Sequence, residues 1–265
     1  MPPPRLPLDV VSLVFERLGD ELSEAECRAE GTRLCLVCRE WLNEARKLAM
    51  RQLTIDFAED FNQHLALTKL PHLLALVKAL TIIYVECQVP EEQQNSTMTS
   101  FQTDLTRLLI TASINAYSTL TPWLSQCGSL EKFHVQLEPE TAEIDLVHVM
   151  RPLAGLTRLK KVTVAISRQT AAPVAQFGPL VSNLPPALSL LVVRGFELDL
   201  DSVGHALLSP EDVDGGHAQN RADEAAPKPT SASIIFDDGK GYHHFVRLPG
   251  SEQWLHRDVH RAVKV

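Results

Sequence analysis

An apolar pattern that recurs six times between residues 50 and 193 limits what this chain can fold into. Each copy has the form Φ-x-x-Φ-x-Φ, where Φ is an apolar residue, and successive copies begin 25 to 29 residues apart. The alternation within a copy predicts a short β-strand with one buried face. Strands that return at this interval, with room for a helix between them, predict a solenoid whose strand–helix units pack against their neighbours. The copies are Met50/Leu53/Ile55, Val77/Leu80/Ile82, Leu105/Leu108/Ile110, Leu130/Phe133/Val135, Leu159/Val162/Val164 and Leu188/Leu191/Val193.

Between the copies, the sequence predicts helices over Leu65–Leu76, Asn115–Ser125 and Ile144–Leu153. This region resembles a degenerate leucine-rich-repeat array, but it lacks the asparagine ladder of that family. Because the family has Asn or Cys eight positions after a copy begins, the backbone groups of these turns must be satisfied in another way. An ordinary α/β domain with evenly spaced strands is the alternative. The residues at those positions are Ala58, Val85, Ser113, Glu138, Ser167 and Phe196.

Two apolar stripes near the N-terminus predict a pair of short helices. Pro7 suits the first turn of the first helix, because proline lacks an N–H that would be unpaired there. Two short helices within about fifty residues cannot bury both stripes alone, so the rest of the chain or a partner must cover them. The first stripe contains Val10, Val11, Val14, Phe15 and Leu18, and the second contains Leu34, Val37, Trp41, Ala45 and Leu48.

The same segment carries two runs that resemble a known family. The sequence reads LP-x-DVV-x-x-VF-x-x-L from Leu6 and LVCR-x-W from Leu36. Together these runs resemble an F-box, the short helical module by which substrate receptors dock onto the Skp-type adaptor of an SCF (Skp–cullin–F-box) ubiquitin ligase. The resemblance covers Leu6 to about Ile55, and residues 70–82 resemble the stretch that follows the F-box in many fungal members. The polar gap over residues 19–33 is longer than the usual turn of the family.

The resemblance implies both a fold class and a function. The fold would be α/β, with an N-terminal helical F-box-like module followed by a short, leucine-rich-repeat-like strand–helix solenoid. The protein would be a substrate-recognition subunit that bridges the adaptor, and through it a cullin scaffold, to a protein substrate for ubiquitination. It would do no chemistry of its own, because its contribution would be to raise the effective concentration of the substrate lysine. The residues expected to face the adaptor or the module's own core are Leu6, Pro7, Val10, Val14, Phe15, Leu18, Val37 and Trp41.

Two other functions stay open at this point. One is a protein-interaction scaffold without a ligase role, in which the N-terminal helices cap the repeat array and bury Val14, Phe15 and Trp41. A docking module would instead leave an apolar patch uncovered. The other is an enzyme on an α/β fold, which would need a concave pocket with converging titratable groups.

A column of cations predicts a face for the substrate. In strands that stack in register, Arg107, Lys132 and Lys161 lie side by side, and His134 and Arg194 point from the same face. On a chain with a net charge of −8, such a cluster suits an acidic or phosphorylated partner. The alternative is a solvated surface with long side chains.

Composition excludes several classes of protein. The net charge of −8 argues against generic binding of nucleic acid. The sequence contains neither a run of eighteen apolar residues nor the apolar core of a signal peptide, so we expect no membrane association. Five cysteines, an odd number without a secretory signal, indicate reduced thiols in the cytoplasm or nucleus.

No motif predicts a catalytic, cofactor or metal site. Cys35-x-x-Cys38 lacks a second Cys or His pair at zinc-finger spacing, so these residues are predicted to be small buried hydrophobes. The histidines at positions 243, 244, 256 and 260 are predicted to be solvated tail residues.

The F-box resemblance, the apolar repeat and the composition together predict four regions. Residues 1–56 form the F-box-like helical module, and residues 57–200 form the repeat region that binds substrate. Residues 201–230, rich in Pro, Gly and acids, are a flexible insertion. Residues 231–265 form a C-terminal segment with one further strand and a tail.

Overall fold

A computed structural model describes residues 7–57, 71–84, 104–138, 144–167, 174–175, 177–198, 231–237, 242–249 and 254–259. The chain forms two compact units, the first ending at Ala112 and the second beginning at Ser113. Both units are mixed α/β, and most of their paired strands are parallel. The α/β class is therefore as predicted.

The first unit begins with three short helices, which are separated by residues 22–23 and 36–41. They are α1 (Leu8–Glu21), α2 (Glu24–Cys35) and α3 (Leu42–Met50), with a 3₁₀ turn (Arg39–Trp41) before α3. We call residues 8–50 the helical module. Its small core contains Val11, Phe15 and Ala45, against which Leu18, Leu34, Cys35 and Trp41 pack in partly buried positions.

Helix α2 fills the polar gap over residues 19–33, where the sequence analysis predicts no helix. It begins with a capping box, in which Ser23 accepts from the Glu26 N–H and the Glu26 carboxylate accepts from the Ser23 N–H. Only Cys27 and Gly31 are buried along α2, so the helix shows almost no apolar periodicity. A Cβ on Gly31 would lie 2.6 Å from the backbone nitrogen of Ala49, so this glycine permits the close approach of α2 and α3.

The second predicted helix is not continuous. The chain turns at Leu36 and Val37, and Cys38 is fully extended with φ −159° and ψ 158°. Extended backbone cannot continue a helix. Val37 therefore does not share a helical stripe with Trp41 and Ala45, which contradicts the predicted periodicity over this stretch.

Three parallel strands complete the first unit. They are β1 (Gln52–Asp56), β2 (Ala79–Tyr84) and β3 (Arg107–Ser113), with the single-turn helix α4 (Pro71–Leu74) before β2. They lie side by side in chain order, in the register that the repeats predict. The buried rows are Leu53–Leu80–Leu108 and Ile55–Ile82–Ile110.

The second unit continues the same pattern over three further copies. Its elements are α5 (Ile114–Leu124), β4 (Lys132–Glu138), α6 (Leu146–Met150), a 3₁₀ turn (Arg151–Leu153), β5 (Lys161–Ile166), β6 (Val174–Ala175), α7 (Phe177–Val181), β7 (Leu190–Arg194) and β8 (Glu197–Leu198). The buried rows are Phe133–Val162–Leu191 and Val135–Val164–Val193. Strands β6 and β8 form a separate parallel pair.

The second unit then departs from a simple repeat. Strand β9 (Ala232–Asp237) pairs with β7 in parallel, and it is the further strand predicted for this segment. Strands β10 (Tyr242–Arg247) and β11 (Trp254–Val259) follow in antiparallel pairing. The sheet of this unit therefore ends in a hairpin-like meander that the apolar repeat does not predict.

Backbone hydrogen bonds at the starting edge of the strands join each copy to the next. The Arg51 carbonyl accepts from the N–H groups of both Lys78 and Ala79, each at 2.9 Å. One carbonyl thus serves two donors of the next copy. The same arrangement recurs at the carbonyls of Lys78, Glu131 and Lys160.

The predicted regions divide the chain differently from the two compact units. The predicted boundary between residues 56 and 57 lies inside the first unit, whose helical module and strands are compact together. The predicted flexible insertion over residues 201–230 lies outside the described residues.

Candidate functional site: an apolar surface and a basic face

Six large apolar side chains of the helical module are exposed to solvent. Their exposed fractions run from 42% to 85%, although the module has a core of its own in which they could have been buried. Exposed apolar side chains that form one contiguous patch mark an interaction site, whereas singly scattered ones are ordinary. We call this set the apolar surface, and its members are Leu8, Val10, Leu13, Val14, Leu36 and Val37.

Helix α1 contributes four of the six side chains of the apolar surface, Leu8, Val10, Leu13 and Val14. At about 100° per residue, Val11 and Phe15 share the face that packs inward. Val14 lies at the edge of that face, Val10 lies further round the helix, and Leu13 lies on the opposite side; all three remain exposed. Phe15 is held by an edge-to-face contact with Trp41, whose ring centroid lies 5.9 Å away.

The turn after α2 supplies the remainder of the apolar surface. Leu34 and Cys35 pack against the core cluster of Val11, Phe15 and Ala45. Leu36 and Val37 then project from the turn, and Leu36 is the most exposed apolar side chain of the set.

The structure divides the residues predicted to bind the adaptor into two groups. Val10, Val14 and Val37 lie on the apolar surface, whereas Phe15, Leu18 and Trp41 belong to the core of the module. Pro7 is exposed just before α1, and its carbonyl accepts from the N–H groups of Val10 and Val11 at 3.0 and 3.1 Å. Leu6 lies outside the described residues. The sequence analysis missed Leu8, Leu13 and Leu36, because their positions fall off the predicted stripes.

Ion pairs join the helical module to the strands of the first unit. The Asp20 carboxylate at the end of α1 accepts from Arg51 and from Arg107, each over 2.9 Å. Gln52 of β1 donates to the carbonyls of Gly19 and Leu22. Arg107, predicted to lie on the substrate face, is therefore engaged with the helical module.

A cavity of about 320 Å³ opens between α1, α3 and residues 75–78. Its apolar lining consists of Phe15, Leu48, Ala75 and Leu76, and charged side chains complete it. Lys47 pairs with Glu44 at 2.7 Å, and Arg51 pairs with Asp20, so much of this charge is neutralised inside the protein. The cavity is a groove between the helical module and residues 75–78.

Cations gather on one face of the second unit, which we call the basic face. Lys132 and Lys161 are direct neighbours in the parallel register of β4 and β5. His134 lies two residues along β4, and Arg194 ends β7. All four side chains alternate with the buried rows and therefore point away from the core. The predicted step from Arg107 to Lys132 would cross from one unit to the other and stays a prediction.

Two cations of the basic face act on His134. Partial burial lowers the pKa of His134, and the positive charges of Arg194 and Lys161 lower it further. Nearby, Glu131 pairs with Arg158 and Lys160. Among the residues that the structure describes, Lys132, Lys161 and Arg194 form no ion pair.

The histidines near the C-terminus lie in strands, which contradicts their prediction as solvated tail residues. The His256 ring stacks on Phe245 at 4.5 Å and on His243 at 5.7 Å. Arg247 lies over the Trp254 ring at 5.3 Å. These contacts join the last two strands of the second unit, β10 and β11. His260 lies outside the described residues.

The described part of the chain holds neither a metal-binding cluster nor a helix that could span a membrane. No cluster of three or more His, Cys, Asp or Glu side chains there could hold a metal ion. Of the helices in that part, none combines the length and apolar character needed to cross a bilayer.

Comparison with known proteins adds no relative. No family model and no curated protein matches the chain.

Proposed function

We propose that this chain is the substrate-recognition subunit of an SCF-type ubiquitin ligase and that the apolar surface docks it onto a Skp-type adaptor. The observation that supports this proposal is the exposure of Val10, Val14 and Val37 together with Leu8, Leu13 and Leu36 on a module that already has a core. The F-box-like sequence runs coincide with this module. A cullin scaffold would be reached through the adaptor.

The energetics of the apolar surface favour a partner. Fully burying a Val or Leu side chain contributes about 1.5–3 kcal/mol, so a groove that covered several of these residues would gain substantial affinity. Exposed apolar anchors on a helix are the usual feature of helix-in-groove recognition. The central residues of such an interface carry most of its binding energy.

The pattern of burial favours docking over the scaffold alternative. A cap on the repeat array would bury Val14, Phe15 and Trp41 against that array. Val14 is instead half-exposed, and Phe15 and Trp41 pack against each other inside the helical module. The exposed residues are left for another molecule.

We assign the strand region to the binding of substrate. Its parallel strands follow one another in the register of the repeats, which supports a short leucine-rich-repeat-like solenoid as the finer description of the fold. The basic face would meet an acidic or phosphorylated protein substrate. The protein would need no cofactor, since a ligase receptor contributes proximity alone. It would act in the cytoplasm or nucleus and would bind neither nucleic acid nor membranes.

The test is capture of the full-length protein by an immobilised Skp-type adaptor, comparing the wild type with Val10→Asp/Val14→Asp. Both side chains are exposed, so this variant keeps the core of the module intact. We expect a loss of affinity of about 100-fold or more, since two charges would enter an apolar interface. The matched control is Ala25→Asp/Asn43→Asp, which adds the same charge at exposed positions in the first turns of α2 and α3.

The outcomes separate the two functions. Capture of the wild type and of the control, with loss in Val10→Asp/Val14→Asp, supports the receptor. A folded wild type that the adaptor does not capture would contradict it and favour the scaffold. Equal loss in both variants would show that added charge, rather than the apolar surface, governs the interaction.

A further inference from the structure

The groove between the helical module and residues 75–78 combines an apolar lining with charged side chains. Its volume of about 320 Å³ lies within the usual range for small-molecule sites in proteins, about 300–1,000 Å³. One face of α1 and one face of α3 line it, since the lining positions recur three or four residues apart. These positions are Ser12, Phe15 and Glu16 for α1, and Glu44, Lys47, Leu48 and Arg51 for α3 and the residue that follows it.

Two cations lie together at one end of the groove. The Arg51 carbonyl accepts from the Lys78 N–H at 2.9 Å, and both residues line the groove. The Arg51 side chain passes over Gly19, where a Cβ would collide with it, and its Nη2 donates to Asp20 at 2.9 Å. A guanidinium has five N–H donors, so this contact leaves donors for a ligand. Lys78 is half-buried and forms no ion pair with any residue that the structure describes.

The acidic side chains of the groove lie further from the cations. Glu44 precedes Arg51 by seven residues, which is about 10.5 Å along α3. Glu16 precedes Gly19, the neighbour of Arg51, by three residues, which is about 4.5 Å along α1. Two extended residues of a peptide span about 7 Å, which falls between these two distances. A dipeptide therefore has the length to reach from the cations to a carboxylate.

The unpaired charges of the groove favour a ligand that carries both signs. Within the described part of the chain, Glu44 pairs with Lys47 and Arg51 pairs with Asp20. The other two charged side chains of the lining, Glu16 and Lys78, form no ion pair there. They have opposite signs, so a zwitterion would complement both, whereas a simple anion would be repelled by the carboxylates.

We propose that the groove binds an apolar dipeptide with free termini, a site that goes beyond the receptor function and does not depend on it. The carboxylate of the dipeptide would accept charge-assisted hydrogen bonds from Arg51 and Lys78, and its ammonium group would donate to Glu16. Its apolar side chains would lie against Phe15 and Leu76. This arrangement satisfies both termini and buries the apolar part of the ligand.

The groove and the apolar surface lie on different sides of α1. At about 100° per residue, Ser12 lies about 200° from Val10, and Glu16 lies about 200° from Val14. A dipeptide in the groove would therefore leave these two valines uncovered. The two sites can be tested separately on the same protein.

The experiment is isothermal titration calorimetry of the full-length protein with leucyl-leucine. The comparison ligands are N-acetyl-leucyl-leucine, which lacks the ammonium group, leucyl-leucine amide, which lacks the carboxylate, and glycyl-glycine, which lacks the apolar side chains. We expect each of them to bind at least about tenfold more weakly, because each loses one of the three kinds of contact. Free leucine, which is too short to reach both ends, should also bind more weakly than leucyl-leucine.

The variant Glu16→Gln/Lys78→Gln removes one charge of each sign from the groove and leaves the net charge unchanged. We expect it to bind leucyl-leucine at least about tenfold more weakly than the wild type. The matched control is Glu21→Gln/Lys132→Gln, which makes the same two changes at exposed side chains outside the groove. The control should bind like the wild type. Circular dichroism checks that both variants are folded.

A second measurement locates the ligand without any substitution. Saturating leucyl-leucine should slow amide hydrogen exchange over residues 75–78 and in α3, because these segments line the groove. Exchange in α5 of the second unit should not change. Protection of α5 alone would contradict the proposed position of the ligand.

Several outcomes would overturn the proposal. These are no heat of binding with leucyl-leucine at about 10 mM, affinity for the acetylated or amidated peptide equal to that for leucyl-leucine, equal loss in the control variant, or tighter binding of free leucine. The adaptor-docking variant Val10→Asp/Val14→Asp should bind leucyl-leucine like the wild type. Failure of adaptor capture would therefore reject the receptor function and leave the dipeptide site standing, and the reverse result would reject the dipeptide site alone.

Discussion

The helical module and the strands of the second unit contain similar apolar side chains but place them in opposite environments. In the strands, Phe133, Val162 and Leu191 form a row that is at most 2% exposed. In the module, Val10, Val14 and Val37 are 42% to 58% exposed. A strand gains neighbours on both sides, but three short helices have too few residues to cover every apolar flank. The strands of the second unit complete their own core, whereas the helical module leaves apolar side chains exposed.

The largest expected effect comes from placing the same charge in each region. Val164→Asp would bury an unpaired carboxylate in a row that is fully inaccessible, so we expect the free energy of unfolding to fall by about 4 kcal/mol or more. Val14→Asp, at a half-exposed position, should change it by no more than about 0.5 kcal/mol. Urea unfolding followed by circular dichroism measures both. Similar losses of unfolding free energy in the two variants would contradict the difference in burial between the strands and the helical module.

A smaller effect is expected where two helices of the module approach closely. A methyl group on Gly31 would meet the backbone of Ala49 at 2.6 Å, so Gly31→Ala should destabilise the module by about 1–3 kcal/mol. Gly128→Ala is the control, because no atom lies within 4 Å of the added methyl group there. Urea unfolding checks both. If Gly31→Ala were as stable as the wild type, the close packing of α2 on α3 would be wrong.

The smallest effect concerns the basic face and depends on pH. Because burial, Arg194 and Lys161 lower the pKa of His134 in the folded protein, the unfolded chain takes up its proton first as the pH falls below about 6.5. The contribution of His134 to stability is therefore fully present above about pH 6.5 and declines below it. The difference in unfolding free energy between the wild type and His134→Gln should shift against the wild type between pH 7 and 5. If the difference in unfolding free energy did not change with pH, the lowered pKa of His134 would be contradicted.

The register of the strands was predictable from the sequence, and helix α2 was not. The recurrence of Leu53, Leu80 and Leu108 at similar intervals predicts parallel, in-register strands, and these three residues pair as predicted. Helix α2 is stabilised by its capping box and by the contact at Gly31, neither of which produces an apolar stripe. The signal that could have found it is Ser23-x-x-Glu26, the spacing of a capping box.

The candidate site was predictable only in part. The apolar stripe of α1 contains Val10 and Val14, but it does not show whether these side chains are exposed or buried. Leu36 and Val37 are exposed because Cys38 is extended, a feature of the backbone that no periodicity reports. Arg107 lies in the predicted column, yet Asp20 engages it from 87 residues away in the sequence.

The sequence by itself determined the α/β class, the order and register of the parallel strands, and the positions of the cations on their outward faces. These follow from local periodicity, since an apolar residue at every second position specifies which face of a strand is buried. Tertiary structure alone decided which apolar residues of the helical module stay exposed and which cations are neutralised. Those outcomes depend on contacts between distant segments, such as Phe15 with Trp41 and Asp20 with Arg107, and no local pattern encodes them.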